Sequence, residues 1–391
     1  MKQKTKFKKT EIGMIPEDWE ETKIGIKCKI KNGKTNSQDA KEEGKYPLFD
    51  RSSLIKRSNK FLFDCEAIII PGEGKDFIPR YFKGKFDLHQ RAYAIWTEDK
   101  EINIKFIYYW ILQNRKYLSN VAVGSTVRSL RLNHLESFPL AFPRSLSEQS
   151  AIAHILSTLD EKIELLQKQN KTLEEIGQAI FKKWFIDNPE KGEWEVGKLG
   201  DIGSFKNGIN YLRNEKGDTE FSIINVRDIS NKKWILNNSL DKIKINYNKA
   251  KDYLLREGDI IIARSACPGK VSLVLGDDKD IIYSGFSIRY RLNDLKNYFY
   301  ISLVLENLQK ELTNFSIGTT LTSVNQEVLK NIKINIPDKK TLKDFNKVAK
   351  PIFKKISNNC FNTQTLSQIR DSLLPKLMSG KIRVPVKLKI C

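Results

Sequence analysis

Histidine and cysteine are scarce in this sequence, which has three histidines and five cysteines among 391 residues. The cysteines are far apart and form no CxxC pair, so a zinc site is not expected and the thiols should be reduced. Long apolar runs are also missing, since no stretch approaches the ~18–20 residues of a membrane span. These absences predict a cytoplasmic protein without a membrane helix or a metal held by histidine and cysteine.

Acidic residues are outnumbered, with 47 Asp and Glu against 68 Lys and Arg, a formal net charge of +21. A field of this sign favours a polyanionic partner and salt-sensitive association. A ribosome, an anionic membrane surface or a lysine-rich proteome would account for the same excess. Residues 1–14 are strongly basic, lack the apolar stretch of a signal peptide, and are predicted to form a disordered arm that touches phosphates.

The chain contains an internal repeat. Residues 18–33 (DWEETKIGIKCKIKNG) match residues 193–208 (EWEVGKLGDIGSFKNG) at an offset of 175, which aligns Trp19 with Trp194. Each copy ends in Asn-Gly, a dipeptide that suits a turn with positive φ.

Two further matches follow in the same order. FDCEAIIIPGEG (63–74) resembles LREGDIIIARSA (255–266), each an apolar strand that leads into a polar loop. GSTVRSLRLNHLESFPLAFP (124–143) matches GTTLTSVNQEVLKNIKINIP (318–337) at an offset of 194, so the second copy carries longer loops. Three ordered matches predict a duplicated α/β domain.

A long helical segment follows each copy, and apolar residues recur every seven positions as in a coiled coil. The first seam comprises Ile152, Leu156, Leu159, Ile163, Leu166, Asn170, Leu173, Ile180 and Trp184. The second comprises Phe345, Ile352, Ile356, Asn359, Leu366, Leu373 and Leu377. Asparagine in a seam costs stability but fixes register. Pro351 is expected to kink or restart the second helix.

The first helix, about 33 residues at 1.5 Å each, would span roughly 50 Å. A second helix that buries its seam against the first must run back antiparallel. We therefore predict an α+β fold with two similar α/β domains at opposite ends of a two-helix antiparallel coiled-coil spacer, related by a pseudo-twofold axis. The predicted parts are a basic arm (1–14), a first domain (15–145), a central helix (146–188), a second domain (189–339), a C-terminal helix (340–379) and a tail returning to the first domain (380–391).

Two basic modules at this spacing fit a duplex with two half-sites, because one turn of B-DNA is ~34 Å. The modules differ in sequence, which predicts an asymmetric bipartite site. Candidate contacts are polar and basic loop residues beside the apolar strands, where Arg recognises guanine, Asn or Gln recognises adenine and Lys positions phosphate. In the first domain they are Lys31, Asn32, Lys34, Arg51, Lys56, Arg57, Lys75, Arg80, Gln90, Arg91 and Arg128; in the second they are Lys206, Asn207, Asn210, Tyr211, Arg213, Arg227, Asp228, Arg264, Ser265 and Lys270.

Several alternatives remain open. Any single candidate is explained by a solvated loop charge, so only the two sets carry the prediction. The chain could instead be a basic coiled-coil adaptor without sequence-specific DNA recognition. A nuclease site built on Asp50, Glu73 and Lys75 is a weaker alternative that the second repeat lacks. The tryptophans are predicted to be structural anchors, except Trp234, whose basic loop suits base stacking. Neither a Gly-rich cofactor turn nor a correctly spaced P-loop is present.

The segment AIAHILSTLDEKIELLQKQNKTLEEIGQAIFKKWFIDN (151–188) resembles the central conserved region of type I restriction-modification specificity (S) subunits. EWEVGKLGDI (193–202), LREGDIIIARSACPGKV (255–271) and LLPKLMSGKIRV (373–384) are similar to the same family. The resemblance implies two target-recognition domains that each bind half of a split double-stranded DNA site, and helices that bind two methyltransferase subunits. It further implies no catalytic site or metal here. Adenine methylation and ATP-dependent cleavage, with S-adenosylmethionine, ATP and Mg, would belong to partner methyltransferase and motor/nuclease subunits.

Overall fold

The computed structural model describes residues 5–11, 13–188, 193–212, 215–237, 240–276, 279–315 and 324–384, with residues 310–315 described as backbone only. The chain divides into two compact units. The first contains Met1–Lys162 and Leu366–Cys391, and the second contains Ile163–Thr365. Both boundaries fall inside long helices, so each unit includes one end of each helix.

The first unit is built on a six-stranded sheet of order β4-β9-β7-β8-β5-β6. Its central strand contains the run AIII, all of it buried, because strands covered on both faces need not alternate polar and apolar residues. The strands are β1 (Phe7–Thr10), β2 (Gly13–Pro16), β3 (Trp19–Lys23), β4 (Lys29–Asn32), β5 (Tyr46–Phe49), β6 (Lys56–Ser58), β7 (Phe63–Pro71), β8 (Arg80–Leu88), β9 (Ala92–Trp96) and β10 (Pro139–Pro143). The helices are α1 (Ile24–Lys27), α2 (Ile104–Asn114), α3 (Lys116–Val121), α4 (Leu132–Glu136) and α5 (Leu146–Phe181).

The second unit has a five-stranded sheet of order β12-β19-β16-β17-β14 and a three-stranded sheet of order β15-β13-β18. Its strands are β11 (Glu195–Lys198), β12 (Gly203–Asn207), β13 (Thr219–Ile224), β14 (Trp234–Ile235), β15 (Asp241–Ile245), β16 (Ile260–Ala263), β17 (Val271–Val274), β18 (Ile281–Tyr283), β19 (Ser287–Leu292) and β20 (Lys333–Ile336). Its helices are α6 (Leu199–Ile202), α7 (Val226–Asn231), α8 (Tyr247–Ala250), α9 (Tyr298–Phe315), α10 (Gln326–Lys330) and α11 (Lys339–Met378).

The predicted duplication is confirmed by strand pairing. The buried strands β7 and β16 each lie between two antiparallel partners, β8 and β9 in one unit and β17 and β19 in the other. Strand β3 pairs with β10, and β11 pairs with β20 in the same antiparallel sense. The parallel pair of β5 with the end of β8 corresponds to that of β13 with β18. The units differ because the path of β8 is divided into β17 and β18 in the second.

The Asn-Gly positions need glycine for a different reason from the one predicted. Neither Gly33 nor Gly208 is among the glycines with positive φ, so that expectation is wrong. A Cβ on Gly33 would overlap the carbonyl oxygen of Leu88, and a Cβ on Gly208 would overlap that of Ser284. Close backbone approach therefore excludes a side chain at both positions.

The basic N-terminal segment is partly ordered. Strand β1 pairs antiparallel with β2 over residues 7–16, and the Lys8 ammonium donates to the Trp19 carbonyl at 2.8 Å. Ile15, at the end of this hairpin, is buried in the core of the unit. The expectation of a disordered arm is thus wrong for residues 7–10, because pairing satisfies the backbone and Ile15 anchors it.

The two long helices pair antiparallel within each unit. In the second unit, the Asn359 side-chain amide donates to Asn170 Oδ1 at 2.9 Å, while Phe345 packs against Phe185 with ring centroids 4.8 Å apart. In the first unit, Arg370 donates to Asp160 at 2.8 Å. Residues near the C-terminal end of α5 thus contact residues near the N-terminal end of α11, and residues near the N-terminal end of α5 contact residues near the C-terminal end of α11. All sixteen predicted seam residues are buried or half-buried.

Two details of the helices differ from expectation. Helix α11 runs without a break from Lys339 to Met378, so Pro351 neither ends nor restarts it. A proline inside a helix costs about 3 kcal/mol, but burying Phe353 and Ile356 on the seam side returns about 1.5–3 kcal/mol each. Helix α5 ends at Phe181 and continues as one wide π-helical turn, Lys182–Ile186, that buries Phe185. None of the helices that the structure describes is apolar enough over a bilayer's thickness to cross a membrane.

Candidate nucleic-acid interface

In the first unit, predicted DNA contacts gather around one carboxylate, Glu73, in the loop after β7. Its two oxygens accept hydrogen bonds from the guanidinium groups of Arg51 and Arg91. The Glu73 side chain is only 13% exposed, whereas both arginine side chains are more than half exposed. Glu73 therefore tethers two guanidiniums that still present donors to solvent.

Two more predicted residues lie beside this group. The Gly74 N–H donates to the Arg128 carbonyl at 3.0 Å, and the Arg128 guanidinium donates to the Ser119 carbonyl. The Ser119 hydroxyl donates to the Lys75 carbonyl at 3.2 Å, so both exposed cations, Arg128 and Lys75, flank Glu73. Basic side chains from four separate segments, Arg51, Lys75, Arg91 and Arg128, thus lie around Glu73.

A polar depression of about 350 Å³ lies next to the tethered arginines. Its lining residues are Asn36, Ser37, Gln38, Arg51, His89, Gln90 and Arg91. The Gln90 side-chain amide donates to Asn36 Oδ1 at 2.6 Å, and Asn32 donates to the Gln90 carbonyl at 3.3 Å. Burial lowers the pKa of His89, whose Nδ1 accepts from the Arg91 N–H at 3.0 Å. His89 therefore supports the turn that presents Gln90 and Arg91.

Asp50 is part of the frame of this site. Burial alone would raise its pKa, but hydrogen bonds from Lys56 and Ser52 outweigh burial and lower the pKa to about 2. Lys56 lies 2.8 Å from its oxygen. Glu73 is likewise paired with cations, so both carboxylates of the considered nuclease site are already engaged in ion pairs with arginine or lysine side chains. Within the described ranges, no group of three or more His, Cys, Asp or Glu side chains could hold a metal ion.

Two predicted DNA contacts of the first set donate hydrogen bonds to backbone carbonyls within the unit. Arg57 donates from Nε to the Gly44 carbonyl at 2.8 Å, and Arg80 donates to the Ser52 carbonyl. Lys31 and Lys34 are exposed on and just after β4.

The turn that carries Gln90 and Arg91 has a counterpart in the second unit. This turn joins β8 to β9 in the first unit and β18 to β19 in the second. Both are held by three equivalent backbone bonds: His89 to Phe49 (2.9 Å), Gln90 to Thr35 (3.0 Å) and Ala92 to His89 (2.9 Å), matched by Ser284 to Ile224 (3.0 Å), Gly285 to Ile209 (2.8 Å) and Ser287 to Ser284 (2.9 Å). We call these two turns the recognition turns, residues 89–91 and 284–286. Gln90 thus corresponds to Gly285, and Arg91 to Phe286.

The second recognition turn presents an apolar side chain. Phe286 is 68% exposed. Arg264 donates from its guanidinium to the Gly285 carbonyl at 2.9 Å, and its N–H donates to the Phe286 carbonyl at 3.0 Å. Asn210 lies against the same turn, since a Cβ on Gly285 would overlap its Oδ1. Two predicted contacts, Asn210 and Arg264, thus flank a phenylalanine that sequence reasoning missed.

The loops that follow the central strands β7 and β16 each contain one non-glycine residue with a positive backbone φ angle. Phe77 has φ 43° in the loop between β7 and β8, and Ala266 has φ 61° in the loop between β16 and β17. A side chain in the left-handed region persists only where surrounding structure enforces it, and such residues cluster at functional sites. Ser265, half-buried, precedes Ala266.

Other predicted residues of the second set bind within the unit. Asp228, expected on a loop, is buried in α7, where it accepts from the Asn225 N–H at 2.9 Å. Lys206 donates to the Asp252 carbonyl at 2.9 Å. Lys270 donates to the Ser230 carbonyl, Arg227 pairs with Asp241, and the Tyr211 hydroxyl donates to Asn225 at 3.2 Å. Asn207 is exposed, and Arg213 lies outside the described residues.

Trp234 does not have the role considered for it. Its indole N–H donates to Glu174, and its ring packs edge-on against Phe353 at 5.8 Å. Lys233 pairs with Glu306 at 2.8 Å. The expected base-stacking platform is therefore wrong, because the ring is occupied in joining the sheet to both long helices.

Comparison with known proteins agrees with this arrangement. The model of the type I restriction modification DNA specificity domain matches residues 16–175 and 191–370. The MjaIX specificity subunit of a type I restriction enzyme from Methanocaldococcus jannaschii is 32% identical over 424 residues, covering 97% of each chain. The EcoDI specificity subunit of Escherichia coli is 32% identical over 168 residues, 43% of this chain and 36% of that one.

The crystal structure of the type I restriction-modification S subunit from M. genitalium shares the fold, with a TM-score of 0.63 at 20% identity, covering 92% of this chain and 96% of that one. The family model spans both repeats, and the Methanocaldococcus relative aligns along nearly the whole chain. This protein therefore belongs to the family of type I restriction-modification specificity (S) subunits.

Proposed function

We propose that this chain is the DNA sequence-specificity subunit of a type I restriction-modification complex and that each domain binds one half of an asymmetric bipartite site. One observation carries the proposal. The two recognition turns share their backbone hydrogen bonds but present different side chains, Gln90 and Arg91 in one and Gly285 and Phe286 in the other. A shared frame with different side chains is what two unequal half-sites require.

Electrostatics support duplex DNA over the adaptor alternative. The excess of 21 positive charges favours a polyanion, and its affinity should fall steeply with salt as counterions are released. Arg51 and Arg91 are held by Glu73 but remain more than half exposed, so little side-chain entropy is lost when they bind. Tethered guanidiniums of this kind fit guanine edges and phosphates.

We further propose that this subunit is non-catalytic. Adenine methylation with S-adenosylmethionine, and ATP- and Mg-dependent cleavage, would take place on two methyltransferase subunits and on motor/nuclease subunits. Support comes from family membership and from the long helices, whose outer faces keep apolar side chains such as Leu165 and Ile176 47% and 42% exposed. Exposed apolar residues on a charged helix face suit the docking of another subunit.

The test is to express the full chain with its methyltransferase subunits and to map methylated adenines. A split motif is expected, and replacing residues 15–143 with another module should change only one half of it. Binding to the motif should weaken steeply as salt is raised. If the purified complex binds its candidate site and a scrambled duplex equally well, the proposal fails and the adaptor alternative gains.

A further inference from the structure

We propose that Phe286 contacts the C5-methyl group of a thymine in the major groove, so that the half-site of the second domain contains a thymine facing this turn. The inference rests on the proposed function, because it assigns one base contact within that half-site. It concerns a residue whose apolar character would ordinarily place it in a core.

The position of Phe286, rather than its exposure, carries the argument. Single exposed apolar residues are common on protein surfaces and need no explanation. Phe286, however, occupies the place in the second recognition turn that Arg91 occupies in the first. The equivalent side chain in the other unit is therefore a tethered cation, so the same backbone frame presents a positive charge in one domain and an apolar ring in the other.

The surroundings of Phe286 fit the edge of an A·T base pair. In the major groove this pair offers the thymine methyl group beside hydrogen-bonding atoms of adenine, N7 and N6. Asn210 is exposed on one side of the turn, and an asparagine amide suits the adenine edge. Arg264 also contacts the turn and uses one guanidinium nitrogen on the Gly285 carbonyl, which leaves further donors on that group.

The turn is also held rigidly. Its backbone is fixed by the Gly285, Ser287 and Arg264 N–H groups at 2.8–3.0 Å, and Gly208 N–H donates to the Ser287 carbonyl at 3.0 Å. A phenylalanine on a fixed backbone loses only side-chain rotation on contact, so a methyl-sized apolar contact can discriminate between bases. The area of a single ring is too small for a protein interface, whose hydrophobic core needs several buried anchors.

The experiment exploits uracil, which pairs like thymine but lacks the C5-methyl group. Duplexes bound by the full chain are first selected from a randomised library. Each thymine of the selected site is then replaced singly by deoxyuridine, and affinity is measured by fluorescence anisotropy. One replacement in the second domain's half-site should weaken binding about fourfold, the equivalent of exposing one methyl group.

The Phe286→Ala variant should bind the thymine and uracil duplexes equally, while Phe286→Leu should keep part of the preference. Val196→Ala is the matched control. Val196 is also an exposed apolar residue, at 61%, but it lies on β11 in a different sheet of the same unit. This variant should retain the full preference for thymine.

The outcomes separate the two proposals. If wild type and Phe286→Ala lose the same factor on every uracil replacement, the thymine contact is refuted while the split site stands. If the wild-type chain selects no sequence from the library, the proposed function itself fails. If Phe286→Ala leaves selection and affinity unchanged but weakens capture by a partner subunit, Phe286 belongs to a protein contact and the inference is overturned.

Discussion

Arg383 joins three distant segments of the first unit, and its replacement should destabilise that unit mainly because it would leave the buried carboxylate of Glu148 without a cation. Its guanidinium donates two hydrogen bonds to Glu148, at 2.8 and 2.9 Å, and two to Asp18, at 2.9 and 2.7 Å. Glu148 lies in the first turn of helix α5, Asp18 precedes β3, and Arg383 follows α11. We call these three residues the Arg383 cluster. Hydrogen bonds with Arg383 lower the pKa of Asp18.

The two acids of the Arg383 cluster differ in burial, which decides the magnitude. The Asp18 side chain is 60% exposed, and such a surface pair contributes less than about 1 kcal/mol. The Glu148 side chain is 8% exposed, so Arg383→Met would leave a buried carboxylate without its cation. Breaking a buried pair in this way costs about 3 kcal/mol. We therefore expect Arg383→Met to be far more destabilising than Asp18→Asn.

Hydrogen exchange on the full chain measures the loss of stability of the first unit in each variant. Peptides covering residues 13–24 and 374–384 give the opening free energy of the first unit without involving the second. Adding Glu148→Gln to Arg383→Met should recover most of the loss, because the orphaned charge is removed. The reasoning is refuted if Arg383→Met and Asp18→Asn cost the same, or if the double variant is less stable than Arg383→Met alone.

Two further predictions concern buried polar groups. The pKa of Asp50 is lowered to about 2, so its ionised carboxylate should contribute about 2 kcal/mol of stability above pH ~4, and this contribution should be lost as pH falls toward 2. The unfolding free energies of wild type and Asp50→Asn, measured by urea titration at several pH values, should therefore converge in acid. A difference in unfolding free energy that stays constant with pH would contradict this. In the helix seam, Asn359→Leu alone should destabilise the protein by about 1–3 kcal/mol, because it removes the amide that donates to Asn170 Oδ1. The double variant Asn170→Leu/Asn359→Leu should instead be more stable than wild type. Thermal unfolding measures both, and a change in melting temperature of the same sign in the two variants would contradict this account of the buried pair.

The helices could be predicted well from the sequence because burial along a helix follows a simple period. Every seam residue, including Asn170 and Asn359, lies where the sevenfold spacing places it. The expectation that a proline breaks a helix was less reliable, because packing of the neighbouring side chains outweighed it. Pro351 was expected to interrupt α11, but the buried aromatic and aliphatic residues that follow it keep the helix continuous.

The candidate site was predictable only as a set. Polar loop residues are visible in a sequence, but the carbonyl or carboxylate that each one meets is not. Arg51 and Arg91 converge on Glu73, while Asp228 and Lys270 bind inside their own unit. Phe286 was missed because apolar residues are assigned to cores by default. Extending the repeat through residues 89–92 and 284–287 would have aligned it with Arg91.

The second recognition turn also limits how its specificity can change, because Gly285 and Asn210 occupy the same space. A Cβ on Gly285 would overlap Asn210 Oδ1, so Gly285→Gln, which copies Gln90, should displace the turn and abolish selection at this half-site. Gly285→Gln combined with Asn210→Gly should restore a folded turn that selects a different base, since the space is vacated. Library selection with both variants checks this. Asn210→Gly alone is the control that keeps Phe286 but removes the amide proposed to contact adenine, so it should select the A·T pair less strongly and still bind uracil duplexes more weakly than thymine duplexes. If Gly285→Gln alone binds a defined new half-site as tightly as the wild type, the two positions are independent and the steric argument fails.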